Sequence, residues 1–483
     1  MARINPPATS IATTNLAGGE AYNLPLKERF VTRVMTCFWQ EPKYYGDTSE
    51  DLVKEAIELC EKDPQFVAKT TIYAREQMNL RTVPAVLCGL LAMHGKPFVR
   101  DVMKRVLTRP DQMKEVVAYL NSVDEKLPRL LKQFKLGLAD CFPKFNEYQL
   151  AKYNGGSGKI KLSDVLCLCH AKPENQEQAA LWKRLLDDNL ATPITWETQL
   201  SKDGNTAEVW DRLIAEKNLP YMASLRNLRN MIEAGATRFP EVLSRISDPE
   251  AVRKSKQFPF RFYSAYRQLQ DIGGSGLALT ALSEALRHSV ENLPTLQGQT
   301  LCSADNSGSM YSPLSERGSV KYVDVANLFQ AMMVVKTPDV ISSVFGRNFA
   351  VVSVNPRSDI VSNAERFKNK DVGHSTNGYL AIDHLIGGEI KVDRIIMFTD
   401  CQLWNDDFYC DCSIQTSIER YRREINSDCW LHLIDLAGYG TIPTLKTKRV
   451  NLMAGWSDKI LPYIAMVEKG VGGQISAIEA IEI

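Results

Sequence analysis

The chain has 483 residues, 44% apolar and 24% charged, with a formal net charge of +1; these are the proportions of an ordinary globular protein and exclude a collagenous, charge-driven disordered or disulfide-scaffold class. That length has room for about three domains, and no apolar run reaches the roughly 18 residues that a membrane-spanning helix needs. The small net charge hides an asymmetry: residues 1–295 carry 40 Lys and Arg against 35 Asp and Glu, whereas residues 296–483 carry 18 against 22.

Met1–Gly19 is rich in Ala, Thr, Asn, Pro and Gly and lacks a basic-then-apolar export pattern. It reads as a flexible tail over 1–20, and the expected location is the cytosol. The scattered cysteines, Cys60, Cys88, Cys302 and Cys429 among them, read as reduced core thiols. Cys167-Leu-Cys169-His170 and Cys410-Asp-Cys412 have spacers too short for the usual zinc knuckle.

From Glu50 to Ser289 the apolar periodicity is helical. Leu52, Ala56, Leu59 and Cys60 share one stripe of Asp51–Glu61, and Asp63-Pro64 is a helix-start signal before Gln65–Met78. Val83–His94, Pro97–Thr108, Gln112–Ser122 and Lys126–Asp140 follow, broken by short Pro- or Gly-containing turns. Tyr153–Lys161 is a glycine-rich insertion without phosphate-loop spacing. Helices resume at Leu162–Cys169, Gln176–Asp188, Ala207–Glu216, Met222–Glu233, Pro240–Ile246, Phe260–Gln270 and Leu277–Ser289. Helices of about 12 residues joined by tight turns predict stacked helix pairs.

The character changes at Leu293–Gln299. Apolar strands at Thr300–Ala304, Val340–Phe345, Ala350–Val354, Arg394–Thr399 and Trp430–Leu436 alternate with helices at Val320–Val335, Tyr379–Leu385, Ser413–Ile425 and Ile460–Glu468. Continuously apolar strands between helices predict a mainly parallel sheet covered on both faces. Asp305-Asn-Ser307-Gly-Ser309 directly follows the first of these strands, where ligands bind in doubly wound folds. A carboxylate and two hydroxyls are hard oxygen donors suited to Mg²⁺. Asp400 ends another strand, and Thr376, with Ser375 beside it, lies in a polar loop before a helix.

These residues resemble the metal-ion-dependent adhesion site of the von Willebrand A domain. The resemblance implies that Ser307, Ser309 and Thr376 ligate a divalent metal, most simply Mg²⁺, directly, that Asp305 and Asp400 act largely through water, and that the open position takes a partner's carboxylate. No general base and nucleophile pair accompanies them, so the expectation is a protein that is not an enzyme.

The helical part resembles the Ro (TROVE-domain) ribonucleoprotein family. Leu136-Gly137-Leu138 followed by Leu150–Asn154, then Leu162–Pro173 (LSDVLCLCHAKP), then Leu219–Met231 (LPYMASLRNLRNM) carry the likeness. Where the family segment opens His-Lys, this chain has Leu162-Ser163. The resemblance implies a multidomain fold: an α-helical, HEAT-like repeat ring over 21–295 and an α/β, Rossmann-like von Willebrand A domain over 296–483. It also implies binding of noncoding RNA, with Y-like RNA on the outer surface and single-stranded 3′ ends of misfolded RNA in a central hole, for quality control or tethering of a nuclease.

Residues 126–172 hold nine basic and three acidic side chains, and residues 226–267 hold nine and four, the local positive patches that a polyanion needs. Lys144, Lys152, Lys159, Lys161, His170, Lys172, Arg226 and Arg229 are the candidate RNA contacts. Each reads equally well as a solvated surface charge, Arg229 also as a packing residue and His170 as a helix cap. The alternative function is a Mg²⁺-dependent protein-interaction scaffold without RNA; a hydrolase built on Asp305 and Asp400 ranks behind both.

Overall fold

The computed structural model describes residues 12–37, 49–94, 96–123, 132–155, 160–273, 275–291, 293–314, 320–405, 412–445, 447–455, 460–470 and 473–483. They form two compact units. One is built mainly from Thr48–Pro193 with the C-terminal Gln474–Ile483; the other is built mainly from Met1–Thr36 and Ile194–Gly473. The first of these units thus ends near residue 193.

The first unit is all helical: Ser49–Lys62, Pro64–Glu76, Thr82–Met93, Val99–Val106, Pro110–Val123, Lys132–Cys141, Glu147–Asn154, Leu162–Cys169 and Gln176–Leu186, with Gln474–Glu479 returning to it. Local chemistry sets these boundaries. The Asp63 side chain accepts from Phe66 N at 3.1 Å with Pro64 in the first turn, and Asn146 and Gln149 form a reciprocal capping box. Gly137 in the Leu-Gly-Leu stretch serves close packing. A Cβ there would lie 2.8 Å from Met103 Sδ and 3.3 Å from Arg100 Cα, so a side chain at this position would have to displace Met103 where helices 99–106 and 132–141 meet.

The second unit combines helices with two sheets. Strands β1 (Ala12–Thr14) and β2 (Glu20–Asn23) form an antiparallel hairpin. The helix Leu26–Thr36 follows, then helices from Trp196–Asp203 to Gly276–Val290. Strands β3 (Thr300–Asp305), β4 (Val340–Phe345), β5 (Phe349–Val351), β6 (Arg394–Thr399), β7 (Trp430–Asp435), β8 (Thr441–Ile442) and β9 (Val450–Ala454) come next. The large sheet has the order β5-β4-β3-β6-β7-β9, parallel except for the edge strand β5. All six residues of β3 and of β6 are buried, as central parallel strands with helices on both faces must be. The helix Tyr322–Lys336 buries thirteen of its side chains, and Phe329 stacks on Phe398 of β6 at 5.5 Å.

Residues 12–19 correct the expectation of a tail over 1–20. β2 also pairs with β8, the Asn15 amide donates to Leu403 O at 2.6 Å, and Leu16 N donates to the Gln402 side chain at 2.8 Å. A three-residue strand leaves almost no periodic trace, and its partners lie nearly 400 residues away. The segment Met222–Glu233 is two short helices, Tyr221–Arg226 and Leu228–Glu233, parted at Asn227, whose side-chain amide donates to Ala223 O. Nine described cysteines are free thiols, but Cys412 is disulfide-bonded, against the expectation of reduced thiols throughout. Among the described residues no helix is long and apolar enough to cross a membrane.

Within the second unit a partly buried ionic cluster joins helix Pro259–Asp271 to the sheet's cover helices. Tyr263 donates to Glu365 at 2.6 Å and to Asp324 at 3.2 Å, Arg267 pairs with Glu365 at 2.6 Å, and Lys368 pairs with Asp324 at 2.5 Å. A second cluster lies across β6 and β7. Arg394 holds Glu468 through two bonds of 2.6 and 2.9 Å, and His432 meets the same carboxylate at 3.0 Å.

Candidate metal centre and nucleic-acid interface

β3 and β6 are neighbours, and the chain crosses the sheet between them, so their carboxyl ends border the topological switch point. Asp305 is the last residue of β3, and Asp400 follows β6 directly. Both are buried, at 0% and 2% exposure. Each closes a side-chain turn: Asp305 Oδ1 accepts Ser307 N at 2.9 Å, and Asp400 Oδ1 accepts Gln402 N at 3.0 Å. Thr399 donates across the strands to Asp305 Oδ2 at 2.7 Å. The Ser307 and Ser309 hydroxyls lie 3.4 Å apart, and Ser309 is near enough to Asp400 to favour its ionised form. Asp305, Ser307 and Ser309 are thus joined by direct contacts, with Asp400 at the end of the neighbouring strand.

Thr376 arrives by another route. Gly308 N donates to His374 O at 2.9 Å, which binds the His374–Thr376 loop against the Asp305 turn. Asn377 N donates to Gly346 O at 2.8 Å. A Cβ on Gly346 would lie 2.4 Å from Gly373 O, so glycine permits that approach. The Thr376 hydroxyl accepts Trp404 N at 2.7 Å, in a bridge that ties its loop to the loop after β6. Thr376 is buried and adjacent to the centre, with part of its hydrogen-bonding capacity given to that bridge.

Burial, then repulsion from Asp400, pushes the Asp305 carboxyl up to about 7, against bonds from Ser307 and Thr399; burial also raises Asp400. The leading influences on the pair are burial, hydroxyls and backbone amides, with no basic side chain among them. Two apposed buried carboxylates surrounded by hydroxyls are a donor set that a hard divalent cation fits. Asp435 was not singled out from sequence. It ends β7, is fully buried and accepts Ala437 N and Gly438 N at 2.9 and 2.7 Å. The signal was present, since Trp430–Asp435 is an apolar strand ending in a carboxylate as Arg394–Asp400 is.

The candidate RNA contacts divide between the units. In the first, Lys144 is exposed with its ammonium on Lys104 O, and Lys152 lies over the Tyr153 ring at 6.0 Å. Lys161 faces Asp188 at 3.4 Å. His170 is exposed, with φ 52° as the left-handed residue that ends helix Leu162–Cys169, and Lys172 is exposed beyond it. Lys159 lies outside the described residues. In the other unit Arg226 and Arg229 are both exposed, and Arg229 pairs with Glu233 at 2.7 Å. Leu162, at the departure from the family's His-Lys, is fully buried, so here that position belongs to the core.

Stacked helices together with a doubly wound sheet domain define a repeat protein with an added α/β module, its polar centre at the switch point. The TROVE domain model matches residues 40–188 and 183–333, more than half of the chain, and the chain belongs to the TROVE domain family, whose members are RNA-binding proteins. It is similar to Telomerase protein component 1 of Mus musculus (26% identity) and of Rattus norvegicus (27%), over 46% of this chain and 12% of each relative. This chain thus spans only a small part of those proteins. The crystal structure of the Deinococcus radiodurans RO (RSR) protein superposes with a TM-score of 0.65 at 16% identity, covering 93% of this chain and 100% of that one; it shares the fold.

Proposed function

We propose that this protein holds noncoding RNA: Y-like RNA on an outer basic surface and the single-stranded 3′ ends of misfolded RNA in the opening of a helical ring, in the cytoplasm, for RNA quality control or to present RNA to a nuclease. The observation that carries this reading is the TROVE match over residues 40–188 and 183–333, which takes in the helices up to Gly276–Val290. Exposed Lys144, His170 and Lys172 support it, on the run of helices from Lys132 to Leu186. Cations on such faces would bind phosphates by releasing condensed counterions, and affinity would fall with salt. An unpaired strand also offers bases for stacking, which a duplex does not.

The sheet domain, read as von Willebrand A-like, would hold Mg²⁺ through Ser307, Ser309, Thr376, Asp305 and Asp400. A bound cation there supplies a Lewis-acidic position for an oxygen ligand from a partner. The chain's own residues fix the site. The side-chain turns of Asp305 and Asp400 aim the carboxylates, Thr399 orients Asp305, and burial keeps bulk water from competing. The second reading, a metal-dependent protein-interaction scaffold, is favoured by Trp404, a 41% exposed indole whose backbone bridges to Thr376.

Filter binding of a structured RNA with a single-stranded 3′ tail tests the first reading. The expected result is tight binding in low salt, falling steeply as salt rises. Absence of binding in low salt, with Mg²⁺-dependent capture of an acidic protein instead, overturns it in favour of the second.

A further inference from the structure

Four helices of the all-helical unit touch in sequence: Pro64–Glu76 packs on Thr82–Met93, that helix on Pro110–Val123, and that one on Glu147–Asn154. Each brings a cation to the same end of the row. Arg75 lies in the last turn of the first, Arg81 immediately precedes the second, and Arg109 immediately precedes the third, which also carries Lys114. Lys152 and Tyr153 lie in the last turn of the fourth.

Contacts confirm the convergence. Arg109 donates to the Tyr153 hydroxyl at 2.8 Å, and its guanidinium sits over that ring at 4.9 Å. Lys152 lies over the same ring at 6.0 Å, and Lys114 donates to Gly155 O at 3.3 Å. Arg75 donates to Val106 O at 3.3 Å and to the Thr108 hydroxyl. Desolvation, then the charges of Arg81 and Arg109, lowers the Arg75 pKa; desolvation and Arg109 do the same to Arg81, and desolvation to Lys114. The acidic groups that act on this cluster are Asp111, bound to Arg109 through both oxygens, and Glu115, with Glu76 beside Arg75 already held by Arg105 at 2.7 Å. Arg75, Arg81, Arg109 and Lys114 thus share Asp111, and the last three of them also Glu115.

We propose that Arg75, Arg81 and Arg109, with Lys114, Lys152 and Tyr153, form a binding site for the phosphodiester backbone of an unpaired RNA strand. The proposal rests on the RNA-holding reading and assigns it a surface that none of the sequence-selected residues except Lys152 touches. Like charges crowded by desolvation relax when an anion arrives, and bidentate guanidinium–phosphate contacts are the strong form of that interaction. Cations contributed by successive stacked helices match a ligand with phosphates at regular intervals better than a single isolated anion. Tyr153 adds an aromatic surface of the kind on which unpaired bases stack.

The test uses the full chain and a fluorescent single-stranded RNA of about ten nucleotides, followed by anisotropy across a salt series. Arg81→Glu is the main variant, with Arg81→Lys as charge-keeping rescue and Lys62→Glu as a control of equal charge change elsewhere on the unit; thermal melting checks each fold. The expected result is roughly tenfold or greater weakening at 0.1 M salt for Arg81→Glu, with a salt slope shallower by about 0.7 per lost phosphate contact. Arg81→Lys should retain most of the affinity and Lys62→Glu nearly all of it. If wild type binds the strand and Arg81→Glu and Arg75→Gln/Arg81→Gln bind equally well, the site is wrong while the RNA-holding reading stands. If wild type binds no RNA, both fall. If tail-less duplex binds as well and is equally sensitive to Arg81, the preference for an unpaired strand is overturned. If inorganic phosphate or a nucleoside monophosphate is held as tightly as the strand, the ligand is a free phosphate and the proposal fails.

Discussion

The carboxylate centre of the sheet domain and the cationic faces of the helices are built on different principles. At the centre, strand ends place the side chains. Asp305 and Asp400 end neighbouring strands whose ladder fixes their spacing, and the turns that follow are closed by the same carboxylates. On the helices a cation's position depends on where its helix ends and on which acid lies within reach. Lys161 finds Asp188, Arg229 finds Glu233 and Arg105 finds Glu76. Positive residues that are dense in sequence are therefore partly neutralised in space, whereas Arg75, Arg81 and Arg109, at the ends of three different helices, converge. Charge density along a chain says little about charge density on a surface, but a motif anchored to a parallel strand says a great deal about geometry.

The sharpest way to break this contrast is to disturb a buried ion pair. Arg394→Met leaves the partly buried Glu468 and the fully buried His432 without their guanidinium, and should cost about 3 kcal/mol, read from urea unfolding. A loss below about 1 kcal/mol would put the pair on the same footing as an exposed one. The carboxylate centre is the next lever. If Mg²⁺ is its ligand, saturation at a hundredfold excess over Kd should stabilise the wild type by about 2.7 kcal/mol. Asp400→Asn should abolish that gain while melting no lower than wild type in EDTA, because it removes one of two apposed buried carboxylates. A variant that still responds fully to Mg²⁺ would remove the metal from this site.

Acid should divide the two regions further. Burial lowers the His432 pKa below its ordinary 6.5, against the pull of Glu468. The Asn451 amide meets Nδ1 at 3.1 Å and Glu468 meets Nε2 at 3.0 Å, an arrangement for a neutral ring protonated on Nε2. The unfolded chain takes up that proton first, so this stability is complete above about pH 6.5 and is lost as pH falls below it. Burial opposes ionisation of Glu468, but His432 and Arg394 together hold it below its ordinary 4.5, so its contribution disappears only as pH falls below that value. Melting temperature against pH should show both declines in wild type and only the lower one in His432→Asn. An unchanged upper decline would place it on another histidine.

What the sequence disclosed follows the same division. Long periodic helices and apolar strands appear nearly where the pattern puts them: β4 and β6 match residue for residue, and β3 extends one residue further, to Asp305. Asp305, Ser307, Ser309 and Asp400 were legible because strand context fixes them. Residues 12–23 were not, because their pairing with β8 and their bonds to Gln402 and Leu403 are contacts over nearly the whole chain. The arginine cluster was invisible for a related reason. Arg81 and Arg109 immediately precede two different helices, and only the stacking of four helices puts them beside Arg75 and Tyr153.

The smallest effect is the most useful for deciding what a surface cation does. Arg229 and Glu233 form an exposed i,i+4 pair at 2.7 Å with 56% and 45% of their side chains open to water. Such a pair contributes about 0.3–0.5 kcal/mol, so Arg229→Ala should shift the urea midpoint barely beyond error. The same variant should weaken RNA only if the guanidinium exchanges Glu233 for a phosphate on binding, because a helix-surface pair has no other route to the ligand. Loss of RNA affinity without loss of stability would identify that exchange and would be absent from Glu233→Gln, which frees the arginine. A stability loss of about 2 kcal/mol or more would instead show Arg229 packing between repeats, a role that its exposure in this structure argues against.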